Sequence, residues 1–210
     1  MISRIAAVGL VVLMAGNALA EGAAAPAPAA PKADAAGALK ILQDGNKRFV
    51  SGKVKGPNRG IDRVKLAAAS DQADYAVATV LSCADSRVPV ELLFDAGVMD
   101  LFIVRVAGNV SDTDEVGSIE YGLGHVKTPL LVVLGHSGCG AVKAVVAASE
   151  GEGHALEKNI PPLVDNIAPA VKRAQKAHAD AKGATLIPFA IEENVCCLLY
   201  TSPSPRDQRG

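Results

Sequence analysis

Tyr75-Ala76-Val77-Ala78-Thr79-Val80-Leu81, running into Ser82-Cys83, is a short apolar run that stops on polar residues. The same pattern recurs twice downstream. Leu101 to Val106 leads into Ala107-Gly108-Asn109, and Leu130 to Leu134 leads into Gly135-His136. Runs this short and this rich in Val, Ile and Leu read as buried strands. Between them lie helical patterns, Val90 to Phe94 after Pro89 and Glu115 to Leu123 after the cap cluster Asp112 to Asp114; Ala141 to Ala148 follows the third run. Strand and helix alternating three times predict an α/β fold, an open parallel β-sheet with flanking helices and right-handed crossovers. Such sheets carry their sites at the carboxyl ends of the strands. Here those ends hold Cys83, Asp85, Arg87, Gly108, His136 and Cys139.

Zinc explains that collection best. Thiolate and imidazole suit Zn(II), and a His and a Cys three apart, after a strand and before a helix, can turn to one ion. Cys83 supplies a third ligand to His136 and Cys139. It lies 56 residues before Cys139, too far for a zinc-finger knuckle, so the ligands come from different strand ends. Three protein ligands leave one position of a tetrahedron open, as in catalytic zinc sites. Asp85 either fills that position or pairs with Arg87 and leaves it to water. Two plainer readings compete. Cys83 and Cys139 could form a disulfide, which would explain neither His136 nor the Asp85–Arg87 pair, and that pair taken alone would pass for a surface ion pair. Gly135-His136-Ser137-Gly138-Cys139-Gly140 lacks the Lys of a phosphate-binding loop.

Outward from this block the chain is simpler. Leu39, Ile41, Leu42, Phe49 and Val50 have helical spacing, with a break expected at Gly45 and an end at Gly52, and Arg63 to Ala69 is a second short helix. Residues 21–38 are almost wholly Ala, Pro and Gly and read as a tether. Residues 1–20 read as a cleaved signal peptide: Arg4 gives a positive start, Ile5 to Leu13 an apolar run, and Ala18-Leu19-Ala20 the small residues of a cleavage site. The mature chain is therefore expected in a bacterial periplasm, with no membrane association after cleavage. His125, His154 and His178 have no ligand spacing and are expected to be solvated.

Composition sets the outer limits. The 210 residues are 50% hydrophobic and 20% charged, enough apolar material for one core and too little charge for a disordered chain. A net charge of -1 gives no footprint for nucleic acid, and 3% aromatic residues with no Trp leave little for base or sugar stacking.

Four motifs in order carry a resemblance to a known family. They are Cys83-Ala84-Asp85-Ser86-Arg87-Val88-Pro89, then Asp100-Leu101-Phe102 with Arg105-Val106-Ala107-Gly108-Asn109, then Gly117-Ser118-Ile119-Glu120-Tyr121, then Gly135-His136-Ser137-Gly138-Cys139-Gly140-Ala141-Val142. Together with Gly45-Asn46-Lys47-Arg48-Phe49 they resemble a β-class carbonic anhydrase over about Leu39 to Val195. The resemblance implies zinc on Cys83, His136 and Cys139, with Asp85 and Arg87 as a functional dyad. It implies reversible hydration of carbon dioxide to bicarbonate and a proton, by a homodimer or higher oligomer. Zinc brings the pKa of bound water to about 7 in carbonic anhydrases that hold it by three histidines; two thiolates donate more charge and should make that water less acidic. A carbon disulfide or carbonyl sulfide hydrolase on the same scaffold, or an inactive zinc-binding or redox protein, is the alternative. The family also uses a Gln shortly before the first ligand strand; Gln72 is the nearest candidate, although Asp74 falls closer to the motif's spacing.

The likeness stops near the end of the chain. Ala190 to Val195 resembles the family's late helix, whereas residues 196–210, with Pro203 and Pro205, do not continue it and read as foreign or frame-shifted sequence. The family would complete this helix and lay another parallel strand beside the third. Without that strand, Leu130 to Leu134 is expected to keep an open edge, and the chain to be poorly soluble or weakly active.

Overall fold

The computed structural model describes residues 32–153 and 156–201. The signal-peptide reading, most of the tether, His154 and the Pro203 to Pro205 stretch lie outside them.

Three strands make one parallel sheet: β1 (Ala78–Cys83), β2 (Leu101–Val106) and β3 (Leu131–Leu134), in the order β2-β1-β3. The expected α/β architecture is therefore present. β1 is central and buried at every position, and its alternating side chains feed two faces. Ala78 and Val80 pack with Leu42, Val88 and Val90 from α1 (Ala35–Val50) and the segment ending in α3 (Val90–Leu93). Leu81 packs on the other face with Val104, Ile119 of α4 (Thr113–Gly124) and Leu198 of α8 (Ile187–Thr201). Each of these Val, Leu and Ile side chains, when fully buried, contributes about 1.5–3 kcal/mol of transfer free energy. A third cluster sits at the carboxyl end of the sheet. It joins Cys83 and Cys139 to Val142 and Val146 of α5 (Gly140–Ser149), Val164 of α6 (Ile160–Asp165), Val171 and Ala174 of α7 (Ala168–Ala177), and Ala190 of α8. The site is thus walled by apolar residues from four helices. A short α2 (Ile61–Ala69) lies outside these clusters.

Several expected boundaries move. β1 begins at Ala78 instead of Tyr75, because Asp71 accepts a hydrogen bond from the Ala73 N–H at 2.8 Å and rolls Gln72–Asp74 into a 3-10 turn. That turn leaves Gln72 at the opposite end of β1 from Cys83. α1 begins at Ala35, inside the expected tether: the Asp34 carboxylate accepts from the Gly37 N–H at 2.8 Å and caps the helix. Gly45 does not break α1. It is buried, and a side chain there would strike the backbone carbonyl of Phe94 just after α3. Its role is close approach between two segments. At the far end α8 runs unbroken past Val195 to Thr201, and Leu198 enters the core.

Candidate metal centre

The three candidate sulfur and nitrogen ligands come from two strand ends and one helix start. Cys83 is the last residue of β1, paired with Val106 of β2. β3 runs into Gly135-His136, and Cys139 is the N-cap of α5. Pairing of β1 with β3 brings the two segments side by side. One ligand atom from each of Cys83, His136 and Cys139 then lies within 4.8 Å of the others. Both thiols are buried and free, at 4% and 2% exposure. The disulfide alternative is absent from this arrangement.

Each ring nitrogen and sulfur has a distinct environment. His136 Nδ1 sits 3.1 Å from the Ser137 carbonyl and donates to it, which leaves Nε2 as the lone-pair nitrogen. Nε2 is buried and has no hydrogen-bond partner. A buried lone pair without a donor, next to two thiols, is what a cation would satisfy. Cys83 Sγ accepts from the backbone N–H groups of Gly108 at 3.3 Å and Asp85 at 3.4 Å. Burial pushes the Cys139 thiol up, opposed by the N–H groups of Val142 and Ala141 in the first turn of α5, while the neighbouring Cys83 raises it further. The donor set of two sulfurs and one imidazole therefore fits a divalent, borderline-soft ion such as zinc.

Asp85 and Arg87 meet as the sequence suggests. The guanidinium grips the carboxylate with both arms, Nε to Oδ1 at 2.9 Å and Nη2 to Oδ2 at 2.7 Å, and the Arg87 N–H adds a bond to Oδ1 at 2.9 Å. This side chain and its own N–H hold the Asp85 carboxyl far below the usual carboxylate range. Arg87 Nη2 also donates to the Gly138 carbonyl at 3.2 Å, joining the loop after β1 to the loop after β3. Asp85 Oδ2 lies 3.9 Å from His136 Nε2, beside the ligand cluster. The other histidines behave differently. His125 is exposed and stacks on Tyr121 at 5.1 Å, and His178, also exposed, stacks on Phe189 at 3.6 Å.

Two side chains that support the site stand within stretches the sequence reading quotes but receive no role there. Asn194 of α8, 2% exposed, donates from Nδ2 to the Gly108 carbonyl at 2.9 Å, steadying the residue whose N–H meets Cys83 Sγ. Gly108 has φ +75, and a side chain there would press on Ile167 and Ala141. Arg105 of β2 bonds to the turn after Cys83. The available signals were a lone Asn on an apolar helix and a lone cation in an apolar strand.

This combination of a parallel sheet and a Cys, His, Cys cluster at its carboxyl edge defines an α/β protein with a site that could hold a metal ion. A family model described as carbonic anhydrase matches residues 78–200. A carbonic anhydrase from Mycolicibacterium smegmatis is 44% identical over 147 residues, covering 70% of this chain and 69% of its own length. Among solved structures, a β-carbonic anhydrase from Coccomyxa in complex with acetazolamide superposes with TM-score 0.60 at 20% identity, covering 81% of this chain and 74% of that one. A structure from Sordaria macrospora, described as one of two tetrameric β-carbonic anhydrases, gives TM-score 0.52 at 19% identity, covering 81% and 85%. The chain belongs to the β-class carbonic anhydrase family.

Proposed function

We propose that this chain catalyses the reversible hydration of carbon dioxide on zinc held by Cys83, His136 and Cys139. The observation that carries the reading is the convergence of two buried thiols and a partnerless buried imidazole nitrogen within 4.8 Å. Zinc, when bound, supplies the Lewis acidity that makes water a nucleophile near neutral pH. The chain's own residues do the rest. Arg87 keeps Asp85 ionised and occupies both carboxylate oxygens, which holds the carboxylate beside the ligand cluster and out of it. A carboxyl held so far below its ordinary range is a poor proton carrier, so Asp85 Oδ2 acts by accepting a hydrogen bond and orienting the attacking oxygen. The apolar cluster behind Cys83 and Cys139 excludes water from one side, as an uncharged gas requires. Family membership favours this reaction over hydrolysis of carbon disulfide or carbonyl sulfide.

Two further parts of the proposal extend past the site. Assembly into a dimer or higher oligomer is supported by the tetrameric relative and by exposed apolar side chains such as Val50 and Ile61, 76% and 66% exposed. Export follows from the signal-like residues 1–20.

Stopped-flow carbon dioxide hydration on purified, metal-assayed protein tests the reading. Active wild type with stoichiometric zinc is expected. Cys139→Ser should lose its metal on dialysis, since a hydroxyl is a far weaker ligand than a thiolate and the tetrahedron is left incomplete. Full zinc retained by that variant would remove Cys139 from the ligand set.

A further inference from the structure

A charged residue in a strand usually points to water and does nothing more. Arg105 is exposed, yet its guanidinium is committed. It stands in register with Ser82, one position before the pair Cys83 and Val106. From there Nε donates to the Cys83 carbonyl at 3.0 Å and Nη2 donates to the Asp85 carbonyl at 2.7 Å. The Ala84 N–H donates in turn to the Val106 carbonyl at 3.1 Å, so β2 holds this turn from two sides.

The two carbonyls bracket the peptide that matters. Fixing the Cys83 carbonyl sets the plane between residues 83 and 84, and fixing the Asp85 carbonyl sets the plane between 85 and 86. Between them lies the Asp85 N–H, which donates to Cys83 Sγ at 3.4 Å. One planar fork therefore governs both the thiol of Cys83 and the carboxylate of Asp85 without touching either. Lys cannot copy this, because an ammonium is a point donor on a flexible stem.

We infer that Arg105 is a positioning residue of the metal centre, fixing Cys83 and Asp85 through their backbone carbonyls. The inference rests on the zinc reading given above. Supporting groups of this kind typically change metal affinity by about 10–100-fold when removed.

The test uses the full zinc-loaded chain as wild type, Arg105→Lys and Arg105→Met, with Arg63→Lys as a control. Arg63 bonds similarly to Val98 and Asp100, near the start of β2 and away from the ligands. Zinc release to a chromogenic chelator gives affinity, and the thiolate-to-cobalt charge-transfer band of the cobalt(II) forms reports the geometry at Cys83. Melting of the metal-free proteins reports stability. Both Arg105 variants should bind zinc about 10–100-fold more weakly, with an altered cobalt band and metal-free melting no lower than that of the Arg63 control, whose zinc affinity and band should match wild type. Wild-type affinity and spectrum in either Arg105 variant, full rescue by Lys included, would overturn the inference. An equal loss of zinc in Arg63→Lys would reduce it to general stability. If Arg105→Met does not fold, Arg105→Lys decides alone. Wild type that binds no zinc would instead overturn the functional reading, and this inference with it.

Discussion

Asp95 shows how one buried carboxylate can hold two segments together. Its side chain has no exposed surface, and it receives Arg48 Nε of α1 at 2.6 Å, the Gly56 N–H at 2.8 Å and the Lys55 N–H at 3.0 Å, with Arg59 Nη2 at 3.6 Å. The Arg48 hydrogen bond, followed by the Lys55 N–H, pulls its pKa from 3.8 down to about 2. A carboxyl depressed on folding stabilises the fold above its unfolded pKa, and that stability is lost as pH falls through the folded one. Asp95→Asn should therefore be less stable than wild type at neutral pH, and the gap should close between about pH 4 and pH 2. Denaturant titrations across that range check the sign; a gap that stays constant would contradict it. At the candidate site, Arg87→Ala would free the Asp85 carboxylate to move onto an ion held by Cys83, His136 and Cys139. Hydration should fall by about 10²-fold or more with zinc still bound, measured by stopped flow alongside metal analysis. The cluster of Cys83, His136 and Cys139 was legible from sequence because these residues stand where apolar runs stop. Arg105 and Asn194 were not, since their importance lies in bonds to distant carbonyls that spacing does not encode.

At the scale of elements, helix α8 departs most from its sequence reading. The family-like pattern ends at Val195, yet Leu198, 6% exposed, fills the cluster of Leu81, Val104 and Ile119. A Leu→Ala change in such a position costs about 2–5 kcal/mol. Leu198→Ala should lower the melting temperature accordingly, whereas a residue irrelevant to the fold would leave it unchanged. Asn194→Leu on the same helix leaves the Gly108 carbonyl buried and unpaired, a loss of about 1–3 kcal/mol in urea unfolding. The strands and the helices between them were readable, because β-branched runs and cap residues such as Asp112 are local signals; Asp112 and Glu115 do form a reciprocal cap on α4. α6 and α7 were not readable. They are short and carry prolines, which sequence patterns count against a helix, but those prolines stand in the first turn where no N–H is required. Gly45 misled for a related reason: its value lies in its contact with another segment, not in its own propensity.

For the molecule as a whole, apolar surface is left on the outside. Leu39, Ile41, Val50, Val54 and Ile61 are all more than 40% exposed along α1 and the segment after it. Sedimentation velocity should show self-association, and Val50→Lys with Ile61→Lys should weaken it; monomers at all concentrations would count against assembly through this region. β3 meets only β1 among the described strands and stands at the edge of the sheet, while α8 packs against it through the face that holds Leu198. The convergence of ligands across the β1–β3 pairing also reaches beyond chemistry. On the zinc reading proposed above, an ion that needs both strands docked would bind the folded chain in preference to the open one, so mass action would turn metal supply into fold stability. At about 100 times its dissociation constant it would add roughly 2.7 kcal/mol, enough to make opening about a hundredfold rarer. Proteases act on the open form, so the amount of this protein would follow the metal available to it. Its half-life in cells starved of zinc should be shorter than in cells fed with it, with synthesis unchanged.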